Sequence, residues 1–226
     1  MGEAEPAKAI PEAEAVARFR LRDRLEAYRS RGSKADFPGS VEIVDGDLHV
    51  EGDLLVDGAA ARRRMETLRS RAPGDRAATS APGAVGLIVT GKLTVTGAII
   101  NANLNGGPFL YVLGATEARA MFAGGAEFRF DGLARFQDAV VGCYNDGFVR
   151  FAGGVEAPFV ISEDHAFEIL GAGSPYADYF NDDGDVELLK KRLHPDIVAP
   201  DVSELDAEEQ LLPRIRRRLP IIAASR

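Results

Sequence analysis

The sequence predicts a mainly β protein: a short β-helix (β-solenoid) with a helical insertion and α-helical caps at both ends. Three observations predict this fold: a six-residue period of valine and glycine, a return of that pattern 45 residues later, and flanking segments with helical signals. The predicted organisation is an N-terminal helical cap over 1–37 and a solenoid over 38–170, interrupted by an insertion at 58–84. A C-terminal helical segment over 171–226 completes the chain.

The six-residue period lies in the stretch VDGDLHVEGDLLVDG. Valine recurs every six residues, at Val44, Val50 and Val56. A glycine lies two residues after each valine, at Gly46, Gly52 and Gly58. A series of hairpins with turns this close leaves strands of about four residues, too short for a stable antiparallel pair. In a solenoid, glycine permits a corner and the valines point into the coil, where they stack on their counterparts.

Two internal alignments extend the solenoid. IVTGKLTVTGAII (88–100) aligns with IVDGDLHVEGDLL (43–55), with six identities in the first ten positions. Three six-residue sides give a coil of about 18 residues, so the offset equals one coil plus an excursion of about 27, the length of 58–84. FRFDG (128–132) aligns with VRFAG (149–153) at an offset of 21. We therefore expect about five coils of parallel strands between Val41 and Ile169.

The glycine-punctuated stretches 43–58 and 87–99 resemble the bactofilins, polymer-forming bacterial cytoskeletal proteins, and 128–157 resembles them loosely. The resemblance implies a right-handed β-helix that assembles through its ends. The chain departs from the bactofilin pattern in its insertion, in its structured flanks and in its phenylalanine-rich late coils. These departures argue against end-to-end polymerisation more than against the fold.

The N-terminal segment 11–32 reads as a helix. Pro11 suits a first turn, the glutamates after it suit the positive end of a helix, and Gly32 suits its stop. Its predicted apolar face comprises Ala17, Leu21, Leu25 and Tyr28. Because the ends of a solenoid expose unpaired strand edges, we expect this face to cover the first coil.

The C-terminal flank also carries helical signals. The first predicted helix is 185–193, which Pro195 ends, and the second begins with a capping pair, Asp206 and Glu209. Pro213 should kink or split that second helix. Its predicted apolar stripe is Leu212, Ile215 and Leu219, and the arginines at 214 and 216–218 are interpreted as complementing its negative end.

Composition limits the partners and the compartment. The net charge of −8 argues against nucleic-acid binding and favours a protein partner of basic character. The longest uncharged run, 93–116, contains asparagine, glycine and proline, so it does not read as a membrane helix. The N-terminus shows no signal-peptide pattern, and the single cysteine suits a reducing compartment. We expect a cytoplasmic protein without a membrane partner.

Two places in the sequence could carry catalysis. Hexapeptide periods also mark acyltransferases of the left-handed β-helix class, for which His49 is the candidate base, although its alternation with Leu48 and Val50 predicts that it points outward. The offset of 21 further places Cys143 near Asp164, and Tyr144 near His165. A cysteine, a histidine and an aspartate can form a nucleophilic site. A buried thiol beside an Asn-Asp-Gly turn is the favoured interpretation.

We therefore predict no catalytic residue, no cofactor and no metal ligand. The expected function is that of a non-catalytic β-solenoid acting as a protein-interaction or scaffold module, such as an immunity or antitoxin-like binder. The predicted partner contacts are Tyr144, Asn145, Asp146 and His165, because exposed aromatic and loop residues often carry recognition. The alternatives are a bactofilin-like polymer and a hexapeptide-type acyltransferase or Cys/His enzyme.

Overall fold

Three parallel sheets form the sides of a β-solenoid, which confirms the predicted mainly β fold. The computed structural model describes residues 7–29, 37–56, 84–144, 146–178, 183–197 and 205–223. The sheets are named A, B and C in the order in which the chain enters them. After a first strand at the edge of sheet A, the described strands follow the order A, B, C five times, and the last two strands extend sheets A and C. The predicted insertion lies outside the described residues, apart from Ala84.

The strands are short, as the spacing of the corners requires. Sheet A contains β1 (Lys8–Pro11), β2 (Ser40–Val44), β5 (Ala84–Val89), β8 (Phe109–Val112), β11 (Glu127–Phe130), β14 (Phe148–Phe151) and β17 (Ala166–Ile169). Sheet B contains β3 (Leu48–Val50), β6 (Leu93–Val95), β9 (Thr116–Ala118), β12 (Ala134–Phe136) and β15 (Val155–Glu156). Sheet C contains β4 (Leu54–Leu55), β7 (Ala98–Asn101), β10 (Ala120–Ala123), β13 (Ala139–Cys143), β16 (Phe159–Glu163) and β18 (Tyr176–Asp178).

The pairing register confirms both sequence alignments. Ile43 lies opposite Ile88, and Arg129 lies opposite Arg150. The coils nevertheless differ in length, because Leu87 pairs with Leu110 after 23 residues and Leu110 pairs with Phe128 after 18. Corner loops of variable length therefore obscure the six-residue period after the second coil.

A column of glycines forms the corner between sheets A and B. The Gly91 N–H donates to the Gly46 carbonyl at 2.8 Å, and the Gly114 N–H donates to the Gly91 carbonyl at 3.1 Å. A Cβ atom on Gly91, Gly114, Gly132 or Gly153 would overlap the glycine of the preceding coil. The glycine at this corner is therefore required by the close stacking of one coil on the next.

Apolar side chains stack in register inside the coils. One interior ladder changes from aliphatic to aromatic along the solenoid: Val44, Val89, Val112, Phe130, Phe151 and Ile169. The rings of Phe130 and Phe151 stack with their centroids 5.2 Å apart. The phenylalanine-rich late coils are thus regular in their packing, and the aromatic rings replace the valines of the first coils in the core.

The N-terminal segment differs from the single predicted helix. Strand β1 pairs antiparallel with β2, and three short helices follow: α1 (Glu12–Arg18), α2 (Leu21–Arg24) and α3 (Glu26–Arg29). The backbone leaves the helical conformation at Arg20, which has a φ of 53°, and at Leu25, which is extended. These breaks allow the segment to follow the surface of the sheet, which a straight helix would leave.

These helices cover the outer face of sheet A, and they extend beyond the first coil, which the prediction had them cover. Their buried apolar residues pack on Ile43, Ile88, Phe109 and Tyr111, which belong to three coils. Leu21, Leu25 and Tyr28 are buried as predicted, but Ala17 is exposed and Ala15 is buried in its place. The segment takes this position because the outward residues of sheet A are themselves apolar.

A buried polar network fixes α2 to sheet A. The Arg129 side chain is 5% exposed, and it donates from Nε to Asp131 at 2.7 Å and from Nη1 to the Arg24 carbonyl at 2.8 Å. The Tyr111 hydroxyl donates to the same Asp131 carboxylate. Burial and this hydrogen bond raise the pKa of Tyr111 to about 12. The tyrosine therefore stays a hydrogen-bond donor at neutral pH.

The C-terminal segment contains the predicted helices. Helix α4 spans Asp183–Arg192, a turn of π-helix spans Ala207–Leu211, and α5 spans Leu212–Arg216. The Asp206 carboxylate accepts the Glu209 N–H at 2.8 Å, which confirms the predicted capping pair. Pro213 lies in the first turn of α5, directly after the π-helical turn, so the helical segment changes its hydrogen-bond pattern next to this proline.

This segment covers the outer face of sheet C. Its buried residues, Leu189, Leu193, Leu211, Leu212, Ile215 and Ile221, pack on the outward residues Ile100, Phe122, Val141 and Ile161. The prediction that Leu219 joins the apolar stripe is wrong, because Leu219 is 41% exposed after α5 has ended. The Asp138 carboxylate accepts the N–H groups of Ile221 and Ile222, at distances from 3.0 to 3.2 Å. The C-terminal segment is thus hydrogen-bonded to the solenoid.

Candidate functional site

A groove of about 800 Å³ follows the corner where the chain passes from sheet C to sheet A. Its floor consists of the first residues of successive sheet A strands: Val85, Phe109, Glu127, Phe148 and Ala166. Helix α3 forms one wall, and the corner loops form the other. Parallel strands lie about 4.8 Å apart, so five of them give the groove a length of about 19 Å.

The groove combines an apolar floor with acidic side chains. Glu26, Glu127 and Asp146 supply three carboxyl groups, and its described lining includes no lysine or arginine. The Glu26 carboxylate also pairs with Arg29 at 3.1 Å, at the outer edge of α3. A segment with basic and apolar side chains is complementary to this composition.

Glu127 anchors the helical wall of the groove. Its carboxylate accepts the backbone N–H of Glu26 at 2.6 Å and of Ala27 at 2.9 Å, the two residues that begin α3. Burial raises the pKa of Glu127, and the two backbone hydrogen bonds oppose that effect. Glu127 was not among the residues predicted from the sequence, where its position at the start of the strand-like stretch EFRF was the available signal.

Asn101 braces the opposite wall. It is fully buried in β7, and its amide group donates to the Val56 carbonyl at 3.3 Å and to the Gly106 carbonyl at 3.4 Å. Its Oδ1 accepts the Ala126 N–H at 3.0 Å. One side chain thus joins the corners of neighbouring coils, so the loops of this wall are held in fixed positions.

The predicted contact residues lie at this corner, but at different depths. Asp146 is exposed and lines the groove, and Tyr144 is 43% exposed immediately after β13. His165 is buried behind them, with its Nδ1 2.8 Å from the Tyr144 carbonyl oxygen. Asn145 lies outside the described residues. Tyr144 and Asp146 are therefore accessible to a partner, whereas the His165 side chain is buried and packs inside the corner.

Cys143 lies opposite Glu163, and the prediction that it stacks near Asp164 is wrong. Sheet C pairs these coils at an offset of 20 residues, whereas sheet A pairs them at 21. The Cys143 thiol donates to the Glu163 carboxylate at 3.0 Å, and that carboxylate also accepts the Ala207 N–H at 3.1 Å. Burial and the neighbouring carboxylates raise the pKa of Cys143, so the thiol stays protonated.

His165 does not activate this thiol, because its ring faces other partners. A carbonyl oxygen only accepts, so Nδ1 carries the proton that is donated to Tyr144. The buried Nε2 has no hydrogen-bond partner among the described residues, and the ring packs edge-on against Phe167 at 5.1 Å. Burial lowers the pKa of His165, which is therefore neutral at pH 7. His49 is exposed on sheet B, as its alternation predicted.

No protein family, curated protein or solved structure was found to match this chain. Within the described ranges, no cluster of three histidine, cysteine, aspartate or glutamate side chains is placed to hold a metal ion. No helix in the same ranges combines the length and the apolar character needed to cross a membrane.

The lowered pKa of His165 predicts a loss of stability in mild acid. As pH falls below about 6.5, the unfolded chain binds a proton at this histidine more readily than the folded chain does, so the free energy of unfolding decreases. The variant His165→Asn keeps a donor for the Tyr144 carbonyl and removes the titration. In urea denaturation at pH 7.0 and 5.5, the free energy of unfolding of this variant should decrease less between the two pH values than that of the wild type.

The matched control is His49→Asn, which removes an exposed histidine and should keep the wild-type loss. A His165→Asn variant with the full wild-type pH dependence would contradict the prediction. If that variant does not fold, an NMR titration of the wild-type His165 ring decides, since the ring should titrate at a lower pH in the folded protein than in the urea-unfolded chain.

Proposed function

We propose that the protein is a non-catalytic protein-interaction module that binds a basic and apolar segment of a partner protein in the corner groove. The observation that carries the proposal is the composition of the groove, with Val85, Phe109 and Phe148 on its floor and three carboxyl groups around them. The net charge of −8 adds a long-range attraction for a basic partner. An immunity or antitoxin-like protein that covers a basic partner fits this chemistry.

The dimensions of the groove favour an extended segment. An extended chain rises about 3.3 Å per residue, so a groove of about 19 Å accommodates about six residues. The floor belongs to stacked strands, and Glu127 and Asn101 hold the two walls. A groove that is formed before binding loses little conformational entropy when the partner arrives.

The direct test is selection of random seven-residue peptides on the wild-type protein, followed by fluorescence anisotropy of the enriched sequences. We expect peptides that alternate lysine or arginine with leucine or phenylalanine. Asp146→Lys should weaken their binding at least tenfold, because it places a cation beside the basic side chains. The matched control, Glu51→Lys, makes the same change of charge at an exposed position outside the groove and should bind like the wild type.

Two results would overturn the proposal. In one, the selection enriches acidic peptides or no peptide at all. In the other, the enriched peptides bind equally to the Asp146→Lys and Glu51→Lys variants, so that only the overall charge matters.

A second candidate function is self-association through the C-terminal end of the solenoid. Strands β17 and β18 are the last strands of sheets A and C, and their outer edges have no strand partner among the described residues. Leu170 is 41% exposed and Tyr176 is 38% exposed at this end. At the other end of sheet A, β1 already pairs antiparallel with β2. We therefore infer pairing of two copies through their C-terminal ends in preference to a continuous, bactofilin-like polymer.

Size-exclusion chromatography with light scattering tests this second function over a range of concentrations. The wild type should dimerise, Leu170→Glu should weaken dimerisation at least tenfold, and Leu188→Glu should not, although Leu188 on α4 is similarly exposed at 37%. A wild type that stays monomeric at 100 µM contradicts self-association. Large polymers contradict pairing through one end and support the bactofilin-like alternative.

A further inference from the structure

A second cavity, of about 440 Å³, lies at the corner between sheets B and C, beneath the C-terminal segment. Successive coils contribute Arg119 and Asp138 to one side of it. The C-terminal segment contributes Arg192, from the end of α4, and Arg218, which follows α5. Three arginines, of which the first and last are almost 100 positions apart, thus line one cavity in a protein whose net charge is −8.

The cavity has an excess of positive charge. Asp138 is its one described carboxylate, and it already accepts the N–H groups of Ile221 and Ile222. It lies 3.7 Å from the Arg119 guanidinium, which is too far for a hydrogen bond. Arg192 and Arg218 form no ion pair with any residue that the structure describes. Three guanidinium groups thus line a cavity with one carboxylate that already has other partners, so the net positive charge favours an anionic ligand.

Arg119 is positioned before any ligand arrives. Its side chain is 15% exposed, and Nη2 donates to the Ile215 carbonyl of α5. Its Nε–H is buried without an acceptor in the described part of the chain. The contact with Ile215 fixes the guanidinium at the wall of the cavity, so little conformational entropy is lost when a ligand binds there.

Arg218 is held in a conformation that its residue type disfavours. Its φ is 59°, in the left-handed region that glycine occupies most easily, and its N–H donates to the Ile215 carbonyl at 3.0 Å. A non-glycine residue in this region is strained, because its Cβ lies close to the backbone. Glycine would follow α5 here with less strain. The arginine differs from glycine in its guanidinium group, and the Arg218 side chain lines the cavity.

We propose that this cavity is an anion-binding site for a phosphoryl group. Guanidinium groups match the oxygens of phosphate with paired, charge-assisted hydrogen bonds, and several of them surround a tetrahedral dianion. The remaining lining includes Pro158, Pro220 and Ile222, which leaves apolar surface for the organic part of a small phosphomonoester. The volume falls within the range of small-molecule sites.

The test measures binding of inorganic phosphate and of phenyl phosphate, by calorimetry and by the rise in melting temperature, with ionic strength held constant by sodium chloride. Arg218→Gly removes the guanidinium and relieves the left-handed strain, so it should fold and bind phosphate at least tenfold more weakly. Arg192→Gln should weaken binding likewise. The matched control is Arg217→Gln, which makes the same change of charge at the exposed neighbouring residue outside the cavity.

The two probes distinguish the source of the phosphoryl group. Tighter binding of phenyl phosphate indicates that the apolar walls take part and that the natural ligand is an organic phosphate, whereas equal binding indicates free phosphate. The absence of saturable binding of either probe at 20 mM overturns the proposal. Equal weakening by Arg217→Gln and Arg218→Gly also overturns it, because diffuse attraction would then explain the effect. The site is independent of the groove, so Asp146→Lys should leave phosphate binding unchanged.

Discussion

Close stacking of glycine corners sets the spacing of the whole solenoid. The Gly46, Gly91 and Gly114 backbones lie directly over one another and are joined by N–H to carbonyl hydrogen bonds. A Cβ atom on Gly91 or Gly114 would overlap the backbone of the preceding coil, push the two coils apart and weaken the strand pairing on both sides of the corner. The same stacking aligns the interior side chains in ladders, so the core depends on the corner.

A solenoid buries its interior but exposes three outer faces, and the chain treats them differently. The outer faces of sheets A and C are apolar, and the two flanking segments cover them. Sheet B remains polar and open, with ion pairs between Lys92 and Glu117 and between Arg135 and Glu156, each at 2.7 Å. Both proposed binding sites lie where a flanking segment meets a corner of the solenoid. The flanks therefore create the recessed surfaces that a bare solenoid lacks.

Sequence patterns predicted the parts of the fold that depend on neighbouring residues. The glycine and valine spacing gave the pairing of Ile43 with Ile88, and the capping pair gave the start of the last helical segment. An apolar stripe shows that a helix is buried but not what covers it, so the positions of the flanks were not predictable. The error of one residue at Cys143 has a similar origin, because sheets A and C have different coil lengths.

The candidate sites were predictable only where a local signal existed. Asp146 belongs to a turn dipeptide, Asp-Gly, that marks an exposed corner, and it lines the groove. Phe109 and Glu127 lie on adjacent strands of sheet A, and only the crossing of α3 over that sheet brings Glu26 to them. The three arginines of the second cavity depend in the same way on the return of the C-terminal segment.

Native-state hydrogen exchange tests most directly whether the flanks are integral to the fold. The amides of Glu26 and Ala27, which donate to Glu127, and those of Ile221 and Ile222, which donate to Asp138, report on the two flanks. If the flanks are part of one cooperative structure, their opening free energies should lie within about 1 kcal/mol of that of the Gly114 amide in the glycine column. Exchange of the flank amides about a thousandfold faster, at several kcal/mol lower cost, would show that the flanks open independently and would contradict this architecture.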